Sequence, residues 1–398
     1  MHKLQNGSQV SVRPARKTQL GSAGYFSESN DSASPSYPGQ DFFNDQIDEF
    51  ENALAGGGIA YDHLRVDHLA RLFAQKANAA DAFVSSKLFD KSISGEPAFF
   101  APSNQIMASC AIVVSVGGEL IKFSEGSVAA TPAMSAGVDY AIYATADGLI
   151  VSSNFTVPDG YTAENSRRIG GFHYGDGEIK ERSFYDLHYR PACDDPRGMV
   201  RTFAGFWADI YLLNTTPDLL GTSAYGAQIA DGSSTPKRPA VWGGDGAAQY
   251  SSFTQYVATE VLAAYGKRLP NAHEFSVLAH GSVTGYAASG DPVTTKFDAS
   301  ARSLIGCEQV SGHMWQWGAE QWDRGNGSSG YAWYAADTDS KGSVYSGLGS
   351  EGVGASLFGG DWDHSGRAGS RCSIWNFEPW NSGANIAARG VCDHLQLG

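Results

Sequence analysis

Glycine is spread through the whole of this chain, 48 in 398 residues, and it cuts the apolar sequence into short pieces. Helical bundles need long uninterrupted amphipathic stretches, and frequent glycine destabilises them. With an aromatic content of 12%, this points to an α+β fold that is mostly β, rich in strands and loops. The chain is too long for one compact core, so two or three domains are expected. A formal net charge of −14 argues against nucleic acid or an anionic membrane as partner. No apolar run approaches the roughly 18 residues of a membrane helix. Residues 1–5 begin no apolar h-region, so no signal peptide is expected. Five cysteines (Cys110, Cys193, Cys307, Cys372 and Cys392) form no CxxC pair. That pattern fits small buried thiols in a chain made in a reducing cytoplasm.

Residues 6–40 are rich in Ser, Gly, Asn and Pro and read as extended. Asp41 can cap a helix whose apolar stripe is Phe43, Ile47, Phe50 and Leu54, closed by Gly56-Gly57-Gly58. A second helix is expected over about 62–77, with Val66, Leu69, Ala70 and Phe73 on one face. Two short helices behind a loose leader suit docking onto another subunit or partner, or packing on the next domain. Residues 1–85 are therefore taken as a tail-attachment or oligomerisation region.

From about residue 86 the pattern is that of strands. Residues 111–116 and 119–123 flank Gly117-Gly118 as a hairpin, and 140–144 and 149–151 flank a turn at Asp147-Gly148. Residues 86–180 thus read as a small β-sandwich. Beyond 180 the chain is mixed. A strand is expected over 206–213, a helix over 251–265 that stops at Gly266, and a second helix opened by Pro270 that contains Glu274, Phe275, Val277 and Leu278. After residue 300 regular signals fade into Gly, Ser, Asn and Trp, and a long aromatic-bearing loop region on a scaffold usually binds something.

Catalytic and metal motifs are weak. Gly347, Gly349 and Gly352 match GxGxxG without a βαβ context, which means a loop. Asp337-Thr338-Asp339-Ser340-Lys341-Gly342 begins like a calcium loop, but Lys341 and Leu348 stand where ligands belong, so a turn is expected. His63 and Asp67 are spaced as a helical metal pair, yet a solvated face is the commoner meaning. Asp361, Asp363 and His364 could ligate an ion, but no second cluster fixes a geometry. No cofactor, no metal and no catalytic residue is expected.

Long strings of the chain match one family in order and spacing. They include Asp139-Tyr140-Ala141-Ile142-Tyr143, Ile169-Gly170-Gly171-Phe172-His173-Tyr174, Asp195-Pro196-Arg197-Gly198-Met199 and the stretch from Phe206 to Leu213. Others are Gly266-Lys267-Arg268-Leu269-Pro270-Asn271, Leu357-Phe358-Gly359-Gly360, Gly369-Ser370-Arg371 and Ala388 through Leu395. From about residue 100 onward the chain resembles the major tropism determinant family of Bordetella phage, the variable proteins of diversity-generating retroelements.

The resemblance implies a C-type lectin fold (one shared with formylglycine-generating enzymes) over residues 181–398. It also implies a homotrimer at a tail-fibre tip in the virion, and attachment to a host cell-surface receptor, a protein in preference to a sugar. Its variable region would lie at about 355–390. Carried over position by position, the receptor-binding set is Asp361, Asp363, His364, Ser365, Arg367, Ile374, Asn376, Phe377, Asn381, Gly383, Asn385 and Ile386. Trp362, Trp375, Arg371 and Arg389 would be its fixed scaffold. The residues themselves suit this layout. In Asp361-Trp362-Asp363 and Ile374-Trp375-Asn376 an inward Trp could alternate with outward neighbours, and Arg side chains could satisfy loop carbonyls. The N-terminal region departs from the family, and docking to other tail proteins would run through it.

Two rival functions remain. A formylglycine-generating-enzyme-like thiol oxidase would use Cys372 and Cys392. A fixed-specificity, calcium-dependent sugar adhesin would use Glu378-Pro379-Trp380 and Trp375-Asn376-Phe377, though each lacks one polar ligand.

Overall fold

The computed structural model of the protein describes residues 7–18, 25, 35–36, 38–62, 64–74, 88–325, 330–335, 343–347 and 352–396. The chain forms two compact units, residues 1–86 and 87–398. His63, Gly349 and the calcium-like stretch 337–342 lie outside the described residues.

In the first unit a helix runs Gln40–Gly56. It begins before Asp41, with Gly39 at the N-cap and no side-chain cap. Asp41 instead accepts the backbone N–H of Lys17 at 3.0 Å. Leu54 packs with Ile59, Leu72, Phe50 and Tyr61, whereas Phe43 is exposed. The second helix starts at residue 68, later than the expected 62, and covers 68–74 among the described residues. Its buried face carries His68 and Leu72, while Val66, Leu69, Ala70 and Phe73 are exposed. His68 sets that rotation, since its Nε2 accepts the Asp62 N–H at 2.9 Å and its ring stacks on Tyr61.

The second unit opens with ten strands: β1 (Phe89–Lys91), β2 (Phe99–Phe100), β3 (Met107–Ala108), β4 (Ile112–Val116), β5 (Glu119–Phe123), β6 (Ala129–Ala130), β7 (Val138–Thr145), β8 (Gly148–Ser152), β9 (Ser166–Tyr174) and β10 (Tyr185–Asp186). Sheets ordered β1-β4-β5 and β10-β9-β7-β8-β6 enclose one core. Ile112, Val114 and Phe123 from the first meet Ile142, Ala144, Ile169 and Phe172 from the second. The glycine pair in β9 has a steric cause. A Cβ on Gly170 would stand 2.4 Å from the Tyr185 carbonyl oxygen, and one on Gly171 2.6 Å from that of Tyr140.

His173 at the end of β9 ties this sandwich to the C-terminal part of the same unit. Its Nδ1 lies 3.0 Å from Asp139 Oδ1 and its Nε2 3.0 Å from the Tyr211 hydroxyl. In that C-terminal part a three-stranded sheet is ordered β11 (Met199–Arg201), β12 (Trp207–Asp209) and β19 (Val391–Cys392). The expected strand over 206–213 ends at Asp209. Residues 210–213 stay buried, but their N–H groups find separate acceptors, such as Gly198 O for Ile210 and Ala388 O for Leu213.

The helix Gln255–Ala263 is capped by Thr254 and buries Val257, Val261 and Leu262. The next helix, Ala272–Leu278, is opened by Asn271 rather than Pro270, through a capping box with Glu274. Regular structure beyond residue 300 is more extensive than the sequence suggested. A four-stranded sheet is ordered β17 (Ser373–Phe377), β16 (Val353–Phe358), β13 (Trp315–Asp323) and β18 (Ile386–Ala387). A hairpin, β14 (Tyr331–Ala335) with β15 (Ser343–Gly347), stands between β13 and β16 in sequence. The β13–β16 register shifts between Trp317 and Gln321, which destroys the period-2 signal a strand would show.

Candidate functional site

The C-terminal residues rest on one buried cation. Arg389 donates from Nη1 to the carbonyls of Asp209 (2.7 Å) and Ile210 (2.6 Å), from Nη2 to that of Glu308 (2.6 Å), and from Nε to Gln316 Oε1 (3.1 Å). Burial pushes its pKa down, yet these acceptors satisfy the guanidinium and pin three irregular segments together. The expectation that an arginine would serve loop carbonyls is met by Arg389. Arg371, the other expected scaffold arginine, is exposed.

β16 ends at Phe358, and Gly359 and Gly360, both at positive φ, turn the chain away. A Cβ on Gly359 would meet the Val310 carbonyl oxygen at 2.7 Å, so only glycine serves there. The turn delivers Asp361 into the interior, with 1% of its surface exposed. Its Oδ1 accepts the Asp363 N–H and pairs with His364 Nδ1, and its Oδ2 accepts Asn385 Nδ2. Asp361 therefore braces two loops from below and is not a surface contact. His364 lies edge-on to Trp315. Asp363, Ser365 and Arg367 point outward, and Trp362 is half-buried.

β17 corrects the expected alternation. Leu357 pairs with Ile374 and Ala355 with Phe377, so β17 carries one extra residue between them. Such a bulge puts two consecutive side chains on the outer side. Ile374 and Phe377 consequently pack toward the core, while Trp375 and Asn376 are both exposed. Trp375 is not an inward anchor. It is 44% exposed, donates from Nε1 to Ser373 Oγ at 2.8 Å and leans on Trp322 and Phe358.

The last stretch is held from its backbone. Pro379 O accepts Gln255 N–H, Ser382 Oγ accepts Phe253 N–H, and Gly383 O accepts Gly232 N–H. Asn381, Gly383 and Asn385 are half-exposed, whereas Ile386 is buried beside Trp315 in the core and contacts nothing outside. Of the twelve expected contact positions, then, Asp361 and Ile386 are interior, Ile374 and Phe377 are half-buried against the core, and the other eight are partly or fully open to solvent.

Sequence reasoning missed the aromatic neighbours. Arg324 donates to the carbonyls of Gly352 (2.6 Å) and Asn376 (3.2 Å), tying the end of β13 and the start of β16 to β17. On the β14–β15 hairpin Trp333 and Tyr345 are exposed and in ring contact. The alternation of Tyr331 and Trp333 was the available signal, obscured by the glycines around it.

The cysteines make no common site. Cys392 lies against Cys193, whose N–H it accepts at 3.2 Å, in a cluster separate from that of Cys372. Burial pushes the Cys372 thiol up, against thiolate chemistry. Among the described residues no three His, Cys, Asp or Glu side chains converge as metal ligands. Glu378 is engaged by Asn381 and Arg324. A mixed polar and aromatic surface on a rigid base is suited to recognition.

Residues 101–185 match the family described as the Mtd second domain. The solved Major Tropism Determinant I1 variant superposes with a TM-score of 0.73 at 38% identity, covering 80% of this chain and 88% of that one. The tail fiber receptor-binding protein of Bordetella phage BPP-1 is 41% identical over 308 residues, 72% of this chain and 78% of that protein. The chain belongs to the major tropism determinant family. A further tropism determinant, the P3c variant, superposes with a TM-score of 0.72 at 39% identity over 80% of this chain and 88% of that chain. With this family the chain shares the C-type lectin fold. No helix among the described residues is long and apolar enough to cross a membrane.

Proposed function

We propose that the protein is the receptor-binding protein of a phage or prophage tail fibre, carried in the virion, and that its C-terminal lectin-fold surface attaches to a host cell-surface receptor. The kinship with the tail fiber receptor-binding protein of phage BPP-1 supports the role. One observation carries the placement on the surface: Asp363, Ser365, Arg367, Trp375 and Asn376 are exposed side chains of unrelated chemistry on a base fixed by buried Arg389 and Asp361. Exposed side chains such as Asp363, Ser365 and Arg367 can be exchanged with little effect on that base, which suits a binding protein in place of an enzyme and calls for no cofactor. That tolerance suits retroelement diversification of the exposed codons, with Asp361 and Ile386 kept as supports.

A protein receptor is preferred to a sugar because exposed Trp375 and Arg367 are residue types that anchor protein interfaces. Residues 1–85 serve tail docking, 86–180 form the intermediate sandwich and 181–398 the tip, presented as a homotrimer so that weak single contacts add up. The test is whether purified protein saturably blocks phage adsorption to host cells, with and without EDTA. Block that survives EDTA supports this reading. No block overturns it, and block abolished by EDTA favours the calcium-dependent sugar adhesin. Sequencing the flanking DNA tests diversification: a near-copy of codons 355–390 differing at adenines, beside a reverse transcriptase, is the expected result.

A further inference from the structure

Away from the C-terminal loops in sequence, residues 155–197 line a cavity of about 420 Å³, within the usual range of small-ligand sites (about 300–1,000 Å³). Three guanidinium groups reach it, from Arg168, Arg190 and Arg197, together with the carboxylates of Asp186, Asp194 and Asp195.

Two of those carboxylates are already occupied. Asp186 holds Lys91 Nζ at 2.6 Å and the N–H groups of Ala98, His188 and Tyr189. Asp195 holds Arg197 at 2.6 Å. Arg168 donates to the Phe155 carbonyl at 2.8 Å and Arg190 to the Cys193 carbonyl at 3.1 Å. Neither has a carboxylate partner among the described residues, and Arg190 Nε is buried without a hydrogen-bond partner. The guanidinium carbons of Arg168 and Arg197 lie 5.6 and 5.0 Å from the centre of the Phe155 ring, so that ring is already engaged with two cations.

The cavity thus offers two cations with no carboxylate partner and, in Asp194, a carboxylate with no ion-pair partner among the described residues. A single anionic group suits the two arginines, whereas a polyphosphate would be repelled by the three carboxylates. The Asp194 carboxylate suits a ligand that also carries hydroxyl donors. We propose that this cavity binds an acidic saccharide, with Arg168 and Arg190 on its carboxylate and Asp194 on its hydroxyls. It is a second, fixed binding site, built from none of the residues of the C-terminal surface, and it does not depend on the receptor reading of that surface.

The full-length protein would be titrated calorimetrically with trigalacturonate, a hyaluronan tetrasaccharide and sialyllactose, with maltotriose as the neutral control. Saturable binding of at least one acidic saccharide is expected, weakened about tenfold or more in Arg168→Gln and in Arg190→Gln and unchanged in Asp363→Ala. Arg168 is exposed, so its variant remains decisive should Arg190→Gln fail to fold. Binding by none of the three acids, equal binding of maltotriose, or affinity unchanged in Arg168→Gln would overturn the proposal.

Discussion

Asn385 donates a hydrogen bond from Nδ2 to Asp361 Oδ2 at 2.5 Å, joining two surface loops that are 24 residues apart in sequence. The other oxygen of the same carboxylate serves Asp363 and His364. One buried anion therefore sets the positions of side chains in both loops. Asn385→Ala leaves a buried carboxylate oxygen without its donor, a loss of about 1–3 kcal/mol. The expected result is a lower melting temperature and weaker cell binding together, and Asn385→Asp, which adds a like charge, should be worse in both.

Trp375 behaves differently, because the bulge in β17 leaves it exposed. Aromatic side chains of this kind are frequent interface hot spots, losing about 2 kcal/mol or more of binding on truncation. Trp375→Ala should weaken cell binding at least tenfold while moving the melting temperature little. A large loss of stability without loss of binding would mean that its contacts with Trp322 and Phe358 are its main role.

Arg389 is the reverse case, interior and indispensable. Arg389→Met would strand acceptors at Asp209, Ile210, Glu308 and Gln316, each worth about 1–3 kcal/mol when left unsatisfied. Insoluble or unfolded protein is expected. Arg389→Lys should not rescue it, since an ammonium cannot reproduce the planar fork. Circular dichroism of the three proteins checks both statements.

Stability should depend on His313. Burial, outweighing the neighbouring Asp298 carboxylate, holds its pKa below the ordinary 6.5. The folded protein therefore keeps the ring neutral where the unfolded chain would protonate it. The contribution is fully present above the ordinary value and is lost as the pH falls below it toward the folded-state pKa. His394, also depressed by burial, acts with the same sign. The melting temperature should drop between about pH 7 and about pH 5, and His313→Gln should flatten that slope. An unchanged slope would count against this assignment.

Much of the fold was legible, for reasons visible in particular residues. The hairpin through Gly117-Gly118 has two short β-branched and apolar runs flanking a turn that needs positive φ, so β4 and β5 fall where the sequence placed them. β13 was missed because a register shift breaks its alternation, and Trp375 was turned the wrong way because one extra residue in β17 does the same. Neither irregularity leaves a local sequence mark. Asp361 was taken for a surface residue by its position in the family resemblance and by alternation with Trp362, but a carboxylate with three partners is stable inside, and those partners come from positions 363, 364 and 385. The second N-terminal helix was misfaced because the polar ring of His68, not the aliphatic stripe, turns inward.

The most direct test of the receptor surface is the binding of fluorescently labelled protein to host cells after two matched triple substitutions. One removes exposed side chains from the C-terminal surface (Asp363→Ala, Arg367→Ala and Asn376→Ala). The other removes exposed side chains from the sandwich (Glu119→Ala, Glu125→Ala and Glu164→Ala). Loss of binding in the first protein alone, with both melting like the parent, is the expected result. Undiminished binding in the first, or equal loss in both, would contradict the assignment of receptor contact to this surface.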